Sequence, residues 1–549
     1  MEETHFKVNT GGRELSIPKF LVISFLTIFS IGPQYFLNLS YTMNQIIIQN
    51  GFAASNNGML MPSILSNLAF ALGVPLGPVL SRKYGLKLCY MTLVSIFLAG
   101  SVINFLSPNL TVFVFGRVIQ GLSSGIIFLT ILPVSLRSFP NGIRNTFLLV
   151  AIGGLFGSSA FGAFTGAISL DVDSWRWLFI ASMVTSALCL LVGGILLPSD
   201  DKQALDKRKL DKKGIALLAA ISFLFSFPLL NLQDQGFHSI LVWPFLAGAL
   251  VLLALFVFVD YYSENPLVPF RALKGAKPVF GLLMAIVAHV SFIISLAGMN
   301  GYLRNIQGAT FGSMTNFYIW LYVGVLISAC ICTLFYDRLG AGLLGVLGSS
   351  AIVIVTFQWR TLSDHASLSM LCFQFAILGG GISMTLVSGA LGTALAGDLH
   401  YAGMRSVSLH FVRNLLGAVM APFLGWYVLS RNAFHYETIR GEVSLDDPVT
   451  SDQMNTMVRN YMAQNGAGLA DAKAHAAQVI GGQAQKLSLL NSYNDLFTIL
   501  MWLGIITLTA SIGKMLTGKG RALVRKEEQK AAKREEVLHL AAPAETHSK

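Results

Sequence analysis

Residues Leu110–Leu132, LTVFVFGRVIQGLSSGIIFLTIL, decide how the chain is read. The stretch is apolar over a length that crosses a hydrocarbon core of about 30 Å as a helix, yet Arg117 stands inside it. A charged side chain at that depth costs at least about 2.5 kcal/mol on insertion scales, so it is a functional feature with a partner to be found. The partner is a carboxylate across a helical bundle, a set of backbone carbonyls, the amides of Gln34, Asn38 or Gln120, or an anionic substrate.

Similar runs recur along the whole chain. Of 549 residues, 54% are hydrophobic and 12% charged, against roughly 25% charged in soluble proteins. The reading is an all-α polytopic membrane protein with about fourteen spans, from Phe20–Met43 to Leu496–Met515. The first run is long, follows a polar segment of mixed charge and lacks a cleavage site, so it reads as a retained anchor in the lipid bilayer. The net charge of +11 comes from short loops and the tail. Those loops, among them SRKYGLK, RSFPNGIR and YDRLG, follow the even-numbered spans, while the stretches IIIQNGFAASN, LSPN, SLDVDS and LQDQGFHS after the first, third, fifth and seventh carry no Lys or Arg. By the positive-inside rule both termini are cytoplasmic, and the same distribution excludes a nucleic-acid surface.

Five cysteines lie in or beside apolar runs, so neither a disulfide framework nor a metal site is expected. The segment 432–495, before the last span, is a long extracytosolic loop. Within it ADAKAHAAQVIGGQAQKLSLL suggests an amphipathic helix interrupted at Gly481 and Gly482.

The motifs point to one family. FVFGRVIQGLSSG resembles the fourth-helix motif R-x-x-Q-G-x-x-x-G of the major facilitator superfamily, in its 14-helix branch of drug:proton antiporters that includes the Emr-type exporters. The match falls on Arg117, Gln120, Gly121 and Gly125. SRKYGLK resembles that family's cytoplasmic gate motif on Gly85, with Lys83 and Lys87 as basic members and Arg82 where an Asp is usual. FYDRLG keeps Asp337, Arg338 and Gly340 in the equivalent loop of the second half. The fifth span resembles the antiporter motif through Gly153, Gly157 and Gly162, with Ser158 in place of its proline. Small residues four apart, Gly153 with Gly157 and Gly162 with Gly166, equally serve close helix packing.

The resemblance implies the major facilitator fold: two pseudo-symmetric six-helix bundles, 20–197 and 279–515, and two extra helices, 214–259. A cytoplasmic N-terminus (1–19), linker (198–213), loop (260–278) and basic tail (516–549) complete the chain. It also implies inner-membrane location, efflux of a small-molecule substrate by antiport with protons, and a periplasmic adaptor and outer-membrane channel as partners; the long loop reads as a solvated insertion or as the contact for them.

No Asp or Glu lies at the centre of a span; Asp234, Asp260, Asp337, Asp398 and Asp495 all sit at span ends. In place of the acid usual on the first helix stands a polar stripe, Gln34, Asn38, Tyr41 and Gln45, on one helical face. That face lines a cavity or hydrogen-bonds a neighbouring helix. His289, His410 and Arg413 are the other deep polar groups; His289 reads as a core histidine or as the proton site. A cavity so lined favours an anionic or zwitterionic substrate. The expected cavity set is Gln34, Asn38, Tyr41, Arg117, Gln120, His289, His410 and Arg413, and the expected gate is Arg82, Lys83, Gly85, Lys87, Asp337, Arg338 and Gly340. The rival is a sensor or assembly factor that keeps the fold without transport. No P-loop, H-E-x-x-H or G-x-S-x-G is present, so neither an enzyme, a cofactor nor ATP coupling is expected.

Overall fold

Hydrophobic runs that must satisfy every backbone group internally become helices, and the computed structural model is all-helical apart from one hairpin. It describes residues 5–10, 13–55, 58–198, 211–397, 399–442 and 448–524. Linker residues 199–210, Asp398 and the tail beyond Val524 lie outside them. The helices are α1 (Lys19–Phe52), α2 (Met61–Gly73), α3 (Leu76–Tyr84), α4 (Leu86–Leu106), α5 (Leu110–Ser138), α6 (Gly157–Asp171), α7 (Trp177–Leu196) and α8 (Lys212–Gln235). They continue as α9 (Trp243–Tyr262), α10 (Ala276–Asn305), α11 (Phe311–Trp359), α12 (Leu368–Ala394), α13 (Ala402–Glu442), α14 (Pro448–Asn465) and α15 (Leu469–Leu516).

Among the described residues twelve helices are long and apolar enough to cross a membrane, and the pair α2–α3, bent by 51°, adds a thirteenth. α11 is two helices in one, broken at Gly340, where φ is 79°; counted as two, it brings the candidate spans among the described residues to fourteen. Gly85, between α3 and α4, has φ 90°. Both are backbone conformations that glycine adopts without strain. The two gate-like loops thus turn on the same residue type at the same place in each half, the structural trace of a duplicated unit.

The close approaches are made by glycine. A Cβ on Gly121 would stand 2.1 Å from the Ser66 carbonyl oxygen, and one on Gly125 2.1 Å from that of Phe70, so α5 lies directly against α2. Gly162 meets the Phe36 backbone and Gly166 meets Ser40 and Met43, which seats α6 on α1. Gly157 instead faces Tyr322 of α11, and Gly153 has only Leu326 at 3.4 Å. The two small-residue pairs of the fifth span therefore serve different neighbours. A π-helical stretch, Leu149–Phe156, precedes α6.

Three features depart from the sequence reading. Residues His5–Thr10 and Arg13–Pro18 pair as an antiparallel hairpin, β1–β2, whose Phe6 and Ile17 pack beneath the N-terminal bundle. α15 runs unbroken through Gly481 and Gly482, so the expected interruption is absent. The 432–495 segment is largely the continuation of α13 and α15 past their apolar stretches, with α14 packed on α15 through Val458, Ala472 and Ala476. Arg431 and His435 of α13 share the Asp495 carboxylate of α15, each at 2.7 Å. Lys486 donates to Asp364 at 3.1 Å, a bond that holds this carboxyl below its usual range.

The inserted pair α8–α9 has a definite seat. Leu218, Ile221 and Phe225 of α8 share an apolar cluster with Ile64 and Leu68 of α2 and with Phe411 and Leu415 of α13. Asp260 at the end of α9 accepts the Leu267 and Val268 N–H groups at 3.2 and 2.7 Å, folding the following loop under that cluster.

Replacing Gly125 by alanine should lower stability by about 1–3 kcal/mol through overpacking against fixed backbone. Gly142→Ala, which meets nothing within 4 Å, should leave the thermal unfolding midpoint unchanged in the same assay.

Candidate functional site

Arg117 is fully buried, and its partners are amides. Nη2 donates to Asn38 Oδ1 at 2.6 Å, and Nη1 to Gln120 Oε1 at 3.3 Å, within its own helix. Gln120 is held in turn by Asn104 Nδ2 at 2.7 Å and donates to Ser101 Oγ at 2.9 Å. Gly116 makes room for that asparagine, since a Cβ there would lie 2.3 Å from Asn104 Oδ1. On the other side Gln34 donates to Asn38 Oδ1 and to Ser66 Oγ, and Asn38 to Asn67 Oδ1 at 3.0 Å. The network binds α1, α2, α4 and α5 through neutral dipoles that orient oxygens at the guanidinium.

A cavity of about 440 Å³ lies between the halves, and Gln34, Asn38, His289, His410 and Arg413 line it. Arg117, Gln120 and Tyr41 do not: Arg117 and Gln120 sit behind the Asn38 wall, and Tyr41 is turned to donate to the Met59 carbonyl at 2.6 Å. The reason is packing. α2 lies so close to α5 that Ser66 and Asn67 come between the motif and the cavity.

Residues the sequence reading missed complete the site: Tyr35, Asn67, Asn300 and Asn414 also line it. Tyr35 interacts with the Arg413 guanidinium, which also lies over the Phe128 ring at 5.7 Å. The His410 ring meets the same phenyl edge-on at 4.9 Å. Arg413 is 5% exposed and His410 8%, and Arg413 Nε and His410 Nδ1 are buried without a hydrogen-bond partner. Ser101 and Asn104 had a legible signal, two polar residues three apart in an apolar helix; Tyr35 had none.

Arg413 stands eleven residues into α13, about 16 Å along the axis. The Leu132, Leu136, Leu391 and Leu395 side chains line the cavity from there to Arg137 at the end of α5. That end is the basal face, where the Phe139 ring after α5 meets Phe20 at 5.2 Å and Arg144 meets Leu523 after α15. Toward the opposite face Leu39, Met43 and Ala163 share a cluster with Ile294, Met314 and Phe317, so the halves are packed together there. Among the described lining residues none is Asp or Glu, while two are Arg and two His. Nor do three metal-ligating side chains gather anywhere among the described residues.

The gate residues divide. Lys87 donates to the Gly194 and Leu197 carbonyls at 2.9 and 2.7 Å, capping α7 within its own half. Arg82 donates to Pro78 of its own helix, Lys83 lies over Tyr84, and Arg338 is exposed. Of the charged gate set, Asp337 is the member that reaches the other half, accepting from Asn145 Nδ2 at 3.0 Å. The contacts described for Arg82, Lys83 and Lys87 thus stay within their own half.

A family model described as Major Facilitator Superfamily matches residues 21–422. The uncharacterized MFS-type transporter YubD of Bacillus subtilis (strain 168) is 28% identical over 517 residues, covering 93% of this chain and 91% of that protein. Multidrug resistance protein Stp of Mycobacterium tuberculosis (strain CDC 1551 / Oshkosh) is 24% identical over 69% of this chain and 71% of its own. The crystal structure of the human organic anion transporter MFSD10 (TETRAN) superposes with a TM-score of 0.51 at 11% identity, over 88% of this chain and 98% of that one. That last likeness concerns the fold alone.

Asn38→Leu should destabilise the protein by about 1–3 kcal/mol, because a buried guanidinium N–H loses its acceptor. Arg117→Lys should act in the same direction, since a point ammonium does not bridge Asn38 and Gln120 as the fork does. Unfolding at the wild-type temperature in either variant would contradict this account.

Proposed function

Given that the chain belongs to the major facilitator superfamily, we propose that it is a proton-coupled exporter of small anionic or zwitterionic organic molecules, from the 14-helix drug:proton antiporter branch. It is a multi-pass membrane transporter; direction, coupling ion and substrate charge are the proposal. The observation that carries it is the cavity's charge balance, with Arg413 and no carboxylate among the described lining residues. At 4 Å a unit anion gains about 4 kcal/mol from such a cation at an effective dielectric of about 20, and a lipophilic cation loses as much. The unpartnered Arg413 Nε and His410 Nδ1 are polar atoms that a bound anion or water would satisfy.

Several observations support the rest of the reading. An even number of crossings would leave both chain ends on one side of the bilayer, and the basic loops favour the cytoplasm for that side. Transport would proceed by alternating access, the halves rocking about the cavity. With no acid among the described lining residues, His289 and His410 would carry the proton. Kinship to a multidrug resistance protein agrees with export.

In reconstituted vesicles with an imposed pH gradient, organic anions should move and matched cations should not. Arg413→Gln should reduce anion flux at least about tenfold, the effect of losing one charge-assisted hydrogen bond. Preferential movement of cations by the wild type would overturn the charge argument.

A further inference from the structure

Past α15 the chain does not simply leave the protein. Gly518, Lys519, Gly520, Arg521 and Ala522 are exposed, and then Leu523 is buried to 4% exposure. Its N–H donates to Asp337 Oδ1 at 2.7 Å, and the Val524 N–H donates to Oδ2 at 3.2 Å. The same carboxylate holds Asn145 Nδ2, and Arg144 Nη1 reaches the Leu523 carbonyl at 3.5 Å. Asp337 belongs to α11 in the C-terminal half, whereas Arg144 and Asn145 belong to the α5–α6 connection in the N-terminal half. Leu523 shares its cluster with Leu148 and Ile152 of one half and with Tyr336, Ala341 and Leu344 of the other. Partly buried Leu136 and Leu395, both of which line the cavity, pack against that cluster. Gly340 fits here as well, for a Cβ on it would stand 2.7 Å from the Lys519 carbonyl oxygen.

We infer that residues 517–524 form a latch which ties the two halves together at the basal rim of the cavity, with Asp337 as its catch and Leu523 as its bolt. A carboxylate bound by two consecutive backbone N–H groups grips main chain, so the strength of the grip depends little on the tail's own sequence. The leucine supplies the sequence-dependent part, and its burial between halves is lost when they separate. Opening at this face must therefore break the Asp337 contacts or carry the tail away with one half. The device adds a barrier to basal opening that the rest of the bundle does not contain, and it places the control of that barrier in a segment reachable from solution. It holds for whatever molecule the cavity carries.

The test is a distance measurement across the basal face in lipid vesicles. Spin labels at Gly142→Cys and Arg338→Cys, exposed positions in the two halves, are read by pulsed dipolar spectroscopy after Cys330→Ala removes the exposed native thiol. Leu523→Asp, and separately deletion of residues 519–549, should shift the population toward longer separations. The ratio of short to long should fall roughly tenfold or more, as expected for losing one buried leucine, and Leu523→Met should restore the wild-type distribution. Unchanged distances in both the aspartate variant and the truncated chain would overturn the latch. Loss of monodisperse elution on truncation would overturn it too, since the segment would then be a brace that the fold needs in every state.

Discussion

The pairing of Arg117 with neutral amides is the constraint on which the N-terminal half depends. A guanidinium at membrane depth must have acceptors, and the chain supplies Asn38 from α1 and Gln120 from its own helix. Those acceptors need their own partners, so Ser66, Asn67, Ser101 and Asn104 follow, and with them the close contacts of α2 and α4 with α5. Gly116, Gly121 and Gly125 are small because the network must fit. The charge itself is left uncompensated. It sits one side chain behind the cavity wall and adds its field to that of Arg413, so an anion in the cavity meets positive potential from both halves.

Much of this was legible in local sequence. The fourth-helix motif, the spans, the glycines at 121, 125, 162 and 166 and the twin breaks at Gly85 and Gly340 are short-range patterns, and short-range patterns survive folding. What was not legible depends on which helices become neighbours. Tyr35 reads as one more aromatic residue on α1, and it acquires a role when α13 places Arg413 beside it. Tyr41 is expected at the cavity because helical periodicity gives a face, and Gln120 because it belongs to the fourth-helix motif; neither says which neighbour covers that face. Gly481 and Gly482 were read as a break because each costs about 1 kcal/mol against alanine. Within a helix of 48 residues, anchored by its apolar half, that cost does not end the helix.

The gate shows how a motif and its use separate. The second-half loop retains its acid, and the acid is engaged, but by Asn145 and by the main chain after α15 rather than by the basic residues of the first-half loop. In that first-half loop Lys87 has become a cap for α7. The duplicated backbone turn persists in both halves while the side chains on it have taken up different work. Kinship with the family thus fixes the turn more firmly than the contacts made around it.

The seat of α8 makes the two sides of the transporter unequal. Halves related by a pseudo-twofold axis present two seams to the surrounding bilayer, and in a molecule built of two bundles alone both would face acyl chains. Here α8 lies across α2 and α13, so that seam is solvated by protein, while the seam where Gly157 meets Tyr322 has no inserted helix over it among the described residues. A relative motion of the halves then shears a protein–protein contact on one flank and a protein–lipid contact on the other. Bilayer composition should act on this molecule chiefly through one flank, and the pseudo-symmetry legible in its chain does not extend to its mechanics.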